Sequence, residues 1–238
     1  MFCAIPTPFS HVWEDSVRSL MLVMFPFVGT VIGAIWALAG FLLNKINCPG
    51  IFAAAIMTLM PYWLTGGIHL DGFMDCCDAI FSRRPIEKKR EILKDSHVGS
   101  FAVVHLAMLF LIGFAAFPST DGSENIWVLI LICTAVRACS AIGVSVMRPM
   151  GHSEYAGSFQ KDISKANVFS LAAILAVSNA LAFLIFGFEG LISVLTACIG
   201  YTFTAYYAYH DLDGFSGDVT GFGHTLGELC GVLALTLL

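Results

Sequence analysis

The sequence predicts an all-α, polytopic membrane helix bundle with six or seven transmembrane segments. Hydrophobic residues make up 58% of its 238 positions, charged residues only 12%, and the mean hydropathy is +0.82. A soluble domain carries roughly 25% charged residues, so this chain is too apolar to be one. The sequence shows no internal repeat and no linker long enough to separate domains, which predicts a single integral-membrane domain over 1–238.

Seven stretches approach the roughly 20 apolar residues that a helix needs to cross a bilayer. They lie near 21–43, 51–70, 101–117, 126–147, 168–188, 190–209 and 221–238. The second stretch carries Pro61, Gly66 and Gly67, and the last carries four glycines. Either could therefore be broken or re-entrant where it lines a cavity. This leaves the number of full spans at six or seven.

The distribution of Lys and Arg predicts the orientation in the membrane. Six of the twelve basic residues lie between the second and third stretches, and three lie between the fourth and fifth. By the positive-inside rule both loops are cytoplasmic, and alternation puts the loop at 210–220 on the same side. We therefore expect a multi-pass protein of the cell (inner) membrane, in contact with lipid, whose active site faces the cytoplasm. The sequence lacks the basic groove typical of nucleic-acid binding.

Three carboxylates follow the second stretch at helical spacing. If 64–78 is helical, Asp71, Asp75 and Asp78 stand at i, i+4 and i+7 and share one face. Like charges at this spacing repel, most of all at the edge of a low-dielectric membrane, and a bound cation would compensate them. Oxygen ligands favour Mg²⁺, which binds through carboxylates and substrate phosphates. The alternative is a solvated acidic helix end.

Basic residues that could hold a phosphate come directly after these acids. Arg83 and Arg84 are suited to clamp a diphosphate, because the planar guanidinium group can bind phosphate through two hydrogen bonds. The next basic residues alternate with Glu91 and Asp95, each of which is a candidate metal ligand or general base. They are Lys88, Lys89, Arg90 and Lys94. For Lys88 and Lys89 we favour a purely topological role.

A second acidic, glycine-rich stretch runs over 211–221. Asp218 is a candidate metal ligand, and Gly217 would let the backbone approach a phosphate closely. For Asp211 and Asp213 a simple turn between two spans is an equal alternative.

Four further polar residues lie in or beside apolar segments. Arg137 and Glu228 are charges within predicted spans, where they either pair with each other or, for Arg137, reach a substrate phosphate. His69 and His97 flank the acids and are candidate bases, although a single histidine at a membrane boundary more often serves in packing.

Two runs of sequence are specific enough to indicate a family. The run TGGIHLDGFMDCCD over 65–78, followed by KDSHVGSF over 94–101, resembles the signature of cobalamin synthase, adenosylcobinamide-GDP ribazoletransferase. The proline-rich start at 4–8, the run at 25–33 and the tail with Gly214, Gly217, Asp218 and Glu228 resemble the same family. Two positions depart from its pattern, since Ala79 stands where glycine is common and His97 where arginine is common.

The resemblance implies a late step of cobalamin biosynthesis. Members of this family join α-ribazole, or its 5′-phosphate, to adenosylcobinamide-GDP, release GMP and form adenosylcobalamin or its 5′-phosphate. Asp71, Asp75, Asp78, Asp95 and Asp218 are then the expected Mg²⁺ ligands. The expected catalytic residues are Asp95, Asp78, Glu91 and His69. The expected substrate-binding residues are Arg83, Arg84, Lys94, Ser96, His97, Arg137 and Gly217. A homo-oligomer, or association with other cobalamin-assembly enzymes, is a further expectation.

Other classes of membrane protein remain as alternatives. The segment from Asp75 to Arg83 also resembles, in part, the acidic motif of CDP-alcohol phosphotransferases. A prenyltransferase could use the same acids to bind a diphosphate. A transporter could use Arg137 and Glu228 at the membrane midplane, although transporters of this kind often show repeated halves and this chain shows none.

Overall fold

A computed structural model describes residues 3–4, 18–117, 124–151 and 163–238 of the chain. Eight α-helices occupy these residues: α1 Arg18–Lys45, α2 Gly50–Leu64, α3 Ile68–Phe81, α4 Ile86–Ile92, α5 Ser100–Ala116, α6 Val128–Val146, α7 Lys165–Leu212 and α8 Gly217–Leu237. A short 3₁₀-helix at Glu124–Trp127 precedes α6. The described residues contain no β-strand, which confirms the all-α prediction. The prolines at 6 and 8, Asp121 and Lys161 lie outside the described residues.

The second predicted segment is broken, as its glycines indicated. α2 ends at Leu64, and Gly66 and Gly67 then adopt φ values of 65° and 78°, a region that glycine enters without steric cost. α3 leaves this turn at 93° to α2. The break thus gives the acidic stretch a helix of its own, turned away from the direction of α2.

A second sharp bend divides α7. Gly187 has φ 67° and ψ −151°, and a Cβ placed on Gly190 would lie 2.8 Å from the carbonyl oxygen of Ala182. Residues eight positions apart in a straight helix are separated by about 12 Å, so the chain bends here. The bend falls between the two apolar stretches that the sequence predicts as separate spans.

Apolar helices of membrane length confirm a membrane protein. Three helices are long and apolar enough to cross a bilayer, at Ser19–Lys45, Asn125–Val146 and Lys165–Leu212, and the bent pair of α2 and α3 would make a fourth. α5 is apolar but shorter. The expected count of six or seven spans therefore stays a prediction.

Helix α8 is continuous, so the break that its glycines allowed is not found there. These glycines instead permit close packing on both sides. A Cβ on Gly223 would lie 2.9 Å from the ring of Tyr201 in α7, and one on Gly221 would lie 2.9 Å from the carbonyl oxygen of His69 in α3. Small residues let membrane helices approach closely, and α8 is thus held between α7 and α3.

Ion pairs gather several loops at one end of the bundle. Lys89 of α4 binds Asp211, while Arg90 and Arg148 both bind Asp213. The loop after α6 is also bonded to the turn before α8 through the backbone. The amide of Met150 donates to the carbonyl oxygen of Phe215, and the amide of Phe215 donates to that of Arg148, both at 2.9 Å. Helix α4, the loop after α6 and the turn before α8 therefore lie together. Their assignment to the cytoplasmic side stays a prediction from the positive-inside rule.

Candidate active site

The three acids predicted to share a helix face lie on α3. Asp71, Asp75 and Asp78 all fall within Ile68–Phe81, so the helix that their spacing predicts is present. Asp71 stands in the first turn, where the helix dipole favours a negative charge. Asp71 is exposed, whereas Asp75 and Asp78 are partly buried. The row of acids therefore leads from the surface into the bundle.

A fourth acid reaches this row from a distant part of the chain. Asp218 lies in the first turn of α8, and its Oδ2 accepts a hydrogen bond of 3.3 Å from the N-cap residue Ser216. Helices α3 and α8 approach so closely that a Cβ on Gly72 would lie 2.8 Å from the Cα of Asp218. The helix crossing thus brings Asp218 to the acids of α3. We call Asp71, Asp75 and Asp218 the acid cluster.

The acid cluster carries an excess of negative charge. Asp75 interacts electrostatically with Asp71, Asp78 and Asp218, and Asp218 interacts with Asp71. Within the described part of the chain, no Lys, Arg or His forms a salt bridge with any of the three. Carboxylates this close repel each other where water is scarce, so a bound cation would stabilise them.

The donor set of the acid cluster suits Mg²⁺ bound together with a substrate. Among the described residues, no three His, Cys, Asp or Glu side chains converge on a ready-made metal position. Mg²⁺ does not require one, because it keeps several waters and binds through one or two carboxylates plus substrate phosphates. A structural zinc site would need four converging ligands, commonly with sulfur or nitrogen donors. The oxygen donors present therefore fit Mg²⁺.

Asp78 has a structural function that its spacing did not reveal. Its Oδ2 accepts a hydrogen bond of 2.7 Å from the amide of Gly99, and its Oδ1 accepts one of 2.9 Å from the amide of Ala102. These amides belong to the N-terminus of α5, whose first N–H groups have no partner within the helix. Asp78 therefore fixes α5 against α3, and its lone pairs are partly used.

A polar cavity of 560 Å³ lies between α3, α4 and the start of α5. Five of the predicted site residues line it: Asp78, Arg84, Glu91, Asp95 and His97. Lys88, for which the sequence favoured a topological role, lines it as well. Asp78 borders both this cavity and the acid cluster, because it also interacts electrostatically with Asp75. A ligand in the cavity would thus have its inner end close to the acids.

Asp95 lies in this cavity and not in the acid cluster. Its Oδ1 accepts hydrogen bonds from the His97 backbone amide at 3.0 Å and from His97 Nδ1 at 2.6 Å. The hydrogen bond between the side chains lowers the pKa of Asp95 below its usual range and raises that of His97. Asp95 is not among the carboxylates that act on Asp75 or Asp218. The structure therefore places this predicted ligand in the same cavity as Asp78, but not with Asp71, Asp75 and Asp218.

The basic residues after α3 divide into two groups. Arg84 and Lys88 line the cavity, and Lys88 forms a salt bridge of 2.7 Å with Glu91. The other predicted residues of this stretch are exposed and lie outside the cavity lining: Arg83, Lys94 and Ser96. Gly217, in the first turn of α8, is exposed as well. Of the predicted phosphate-binding residues, Arg84 is therefore the best placed.

Lys89, Asp211 and Asp213 have structural partners. Lys89 is only 8% exposed and its Nζ lies 2.5 Å from Oδ2 of Asp211. Asp213 binds Arg90 and Arg148, which joins α4 and the loop after α6 to the end of α7. The structure therefore favours a structural role for both aspartates, since Asp211 lies in the last turn of α7 and Asp213 lies in the turn that follows.

Polar side chains of α3, α6 and α8 meet within the bundle, where Arg137, His224 and Glu228 are buried and His69 is half-buried. Arg137 of α6 is fully buried, and its Nη1 lies 2.7 Å from Oε1 of Glu228 in α8. The ring of His69 stacks on that of His224, with centroids 4.2 Å apart and an interplanar angle of 8°. We call His69, Arg137, His224 and Glu228 the buried polar layer. Neither Arg137 nor His69 lines the cavity, so the structure does not bring these two predicted site residues to it.

Sequence reasoning missed a partner in the buried polar layer and the helix contact that positions Asp218. His224 belongs to the buried polar layer. Its position in an apolar segment could have indicated this, because a titratable residue within a membrane segment usually has a partner, as we argued for Arg137. The close approach at Gly72 had no local signal, since Gly72 meets a residue 146 positions further along the chain (218 − 72).

Comparisons with known proteins agree with the resemblance of the motifs. A family model described as cobalamin-5-phosphate synthase matches residues 1–236. An adenosylcobinamide-GDP ribazoletransferase of Clostridium perfringens strain 13 is 36% identical over 239 residues, which covers 100% of this chain and 95% of the relative. Enzymes of the same name from Clostridium botulinum strain Alaska E43 and Listeria monocytogenes are 32% and 28% identical, covering 100% of this chain and 94% of each relative. No solved structure matches.

Proposed function

Because the chain belongs to the cobalamin-5-phosphate synthase family and is a transferase like its relatives, we propose that it joins α-ribazole, or α-ribazole 5′-phosphate, to adenosylcobinamide-GDP and releases GMP. The single observation that carries the proposal is an acid cluster without cationic partners among the described residues, beside a polar cavity that contains Arg84. Acids for a metal and a base for phosphate are what transfer at a diphosphate requires.

The reaction exchanges one phosphorus–oxygen bond for another. A ribose hydroxyl of the ribazole attacks the phosphorus attached to cobinamide, the bridging bond of the diphosphate breaks, and GMP leaves with the electron pair of that bond. The hydroxyl loses its proton to a carboxylate. The products are adenosylcobalamin, or its 5′-phosphate, and GMP. Neutralising the charge on the bridging and leaving oxygens is therefore the main catalytic requirement.

Asp71, Asp75 and Asp218 would hold Mg²⁺ at the acid cluster. When bound, Mg²⁺ supplies Lewis-acid stabilisation of the negative charge on the diphosphate oxygens. The carboxylates would fix the position of the metal beside α3, and one of them accepts the proton of the attacking hydroxyl. The partial burial of Asp75 and Asp218 limits the access of water, which would otherwise compete with that hydroxyl.

Residues of the cavity would bind the rest of the nucleotide substrate. Arg84 can donate two parallel hydrogen bonds to a phosphate. Asp78 contributes by fixing α5, which forms one wall of the cavity, at a constant distance from α3. We place this site at the cytoplasmic face of the inner membrane, on the basis of the basic loops that surround it.

The test is direct formation of the products. Purified protein in detergent micelles is incubated with Mg²⁺, adenosylcobinamide-GDP and α-ribazole, and GMP and the cobamide are followed by chromatography. We expect stoichiometric GMP and cobamide, loss of both on chelation, and recovery when Mg²⁺ is restored. Absence of GMP from a protein that is folded by circular dichroism would refute the proposed function.

The same assay separates the alternative functions. Release of CMP from a CDP-alcohol, or of diphosphate from an isoprenoid diphosphate, would point to the phosphotransferase or prenyltransferase alternatives. α-Ribazole and its 5′-phosphate, compared at equal concentrations, identify the preferred acceptor. The size of the protein in micelles, measured by light scattering, tests the expected homo-oligomer.

A further inference from the structure

The polar cavity is lined by acidic side chains as well as by the basic side chains that a phosphate site requires. Its volume of 560 Å³ falls within the range of roughly 300–1,000 Å³ that is usual for small-molecule sites. Cationic side chains account for phosphate binding, but Glu91 and Asp95 also line the cavity, and carboxylates repel phosphates. The cavity is therefore suited to a ligand that carries both anionic groups and hydrogen-bond donors.

The two carboxylates are not equivalent. Glu91 is already compensated, because its Oε2 lies 2.7 Å from Nζ of Lys88. Asp95 is held differently, since both of its hydrogen bonds from His97 end on Oδ1. In the part of the chain that the structure describes, Oδ2 of Asp95 accepts no hydrogen bond. The Asp95 side chain is 56% exposed, so Oδ2 is open to a ligand, and both of its lone pairs are unused.

Guanine is a base that a carboxylate oxygen can recognise. Its N1–H and its 2-amino group are adjacent, parallel donors, and one carboxylate oxygen has two lone pairs that can accept both hydrogens at once. Adenine has no such pair of donors, and hypoxanthine lacks the 2-amino group. An unused carboxylate oxygen in a nucleotide cavity thus favours guanine, because adenine and hypoxanthine each satisfy at most one of its lone pairs.

We propose that this cavity binds the guanosine of the leaving nucleotide and that Oδ2 of Asp95 determines specificity by accepting the N1–H and 2-amino hydrogens of guanine. The inference rests on the proposed function, since it concerns the GMP half of adenosylcobinamide-GDP. The phosphates extend past Arg84 toward Asp78, which borders the acid cluster. In this arrangement Asp95 contacts the base and is neither a metal ligand nor the proton acceptor.

Binding of the product nucleotides tests this inference without turnover. Affinities of GMP and IMP for the full chain in detergent micelles are measured by isothermal titration calorimetry. We expect the wild-type protein to bind GMP at least about tenfold more tightly than IMP, the usual effect of one hydrogen bond to a charged group. Asp95→Asn should abolish this preference, mainly by weakening the binding of GMP, because the amide oxygen would accept the hydrogen bonds from His97 and the amide nitrogen, a donor, would then face guanine.

Glu91→Gln is the matched control, because it removes the other carboxylate of the same cavity and should leave the ratio of GMP to IMP affinity unchanged. Asp95→Ala is a second variant and should lose the preference as Asp95→Asn does. If both Asp95 variants keep the wild-type ratio while the protein still releases GMP, the inference is wrong and the proposed function stands. If no GMP is released by the wild-type protein, the proposed function itself fails.

Discussion

The acid cluster and the buried polar layer both place charged or titratable residues within the helix bundle, but they balance charge differently. In the buried polar layer, Arg137 and Glu228 neutralise each other at 2.7 Å. In the acid cluster, three carboxylates lie together with no cationic partner among the described residues. A balanced pair holds helices together, whereas an unbalanced group of acids favours a bound cation. This difference separates a structural role from a functional one.

Breaking the balanced pair should produce the largest effect on folding. Glu228→Gln leaves the fully buried Arg137 without its counter-charge. Removing one partner of a buried ion pair costs about 3–5 kcal/mol, so we expect a large fall in the unfolding temperature and in the yield of folded protein. The unfolding temperature is measured by thermal unfolding in detergent micelles.

The control for this variant removes both charges. Arg137→Met combined with Glu228→Met leaves no unpaired ion, so the double variant should be more stable than Glu228→Gln. Equal destabilisation of the single and double variants would mean that packing volume, and not charge balance, determines the stability of the layer.

Removing one charge from the acid cluster should reduce activity strongly without reducing stability. Asp75→Asn takes away a carboxylate that three neighbouring acids repel. We expect the unfolding temperature to stay the same or rise, while GMP release falls by at least roughly a hundredfold because metal binding is weakened. Near wild-type turnover in this variant would remove the acid cluster from the proposed mechanism.

Separating α3 from α8 should weaken activity and stability together. Gly72→Ala introduces a methyl group 2.8 Å from the Cα of Asp218, and this backbone contact can be relieved only if the helices move apart. Overpacking of this kind costs about 1–3 kcal/mol. Gly50→Ala is the control, since a Cβ there meets nothing within 4 Å. Equal unfolding temperatures and equal rates of GMP release for the two variants would contradict the predicted close contact.

The smallest expected effect concerns two neighbouring lysines, one buried in an ion pair and one in an ion pair at the surface. Lys89 is buried and paired with Asp211, whereas the side chain of Lys88 is 56% exposed and its pair with Glu91 is a surface pair. Surface pairs contribute about 0–1 kcal/mol, so Lys88→Met should hardly change the unfolding temperature. Lys89→Met should lower it measurably, because Asp211 loses its partner. The reverse order would show that the link between α4 and α7 is not needed for stability.

Several features of the fold could be predicted because they depend on local sequence. The break in the second segment follows from Gly66 and Gly67, which adopt positive φ, and the row of acids follows from the helical period. The glycines of α8 were harder to interpret. Glycine in a membrane helix indicates either a break or close packing, and only the positions of the neighbouring helices decide between the two.

The roles of individual site residues could be predicted only in part. Asp78 was predicted as a metal ligand and catalytic residue, and its two hydrogen bonds to the start of α5 were not foreseen. Its neighbour in the row, Asp75, has the same side chain but lies among acids. Identical residues thus differ in function because their partners come from other helices, which sequence spacing cannot specify.

The sequence alone determined that the chain is an all-helical membrane protein of the cobalamin-5-phosphate synthase family and which acids share a face of α3. Hydrophobicity and helical period determine these properties over short distances along the chain. Only the tertiary structure placed Asp218 beside Asp71 and Asp75 and put Asp95 in the cavity. It also decided between the two alternatives for Arg137, which pairs with Glu228 and does not line the cavity. These contacts join helices far apart in the sequence, and packing at positions such as Gly72 decides which helix faces meet.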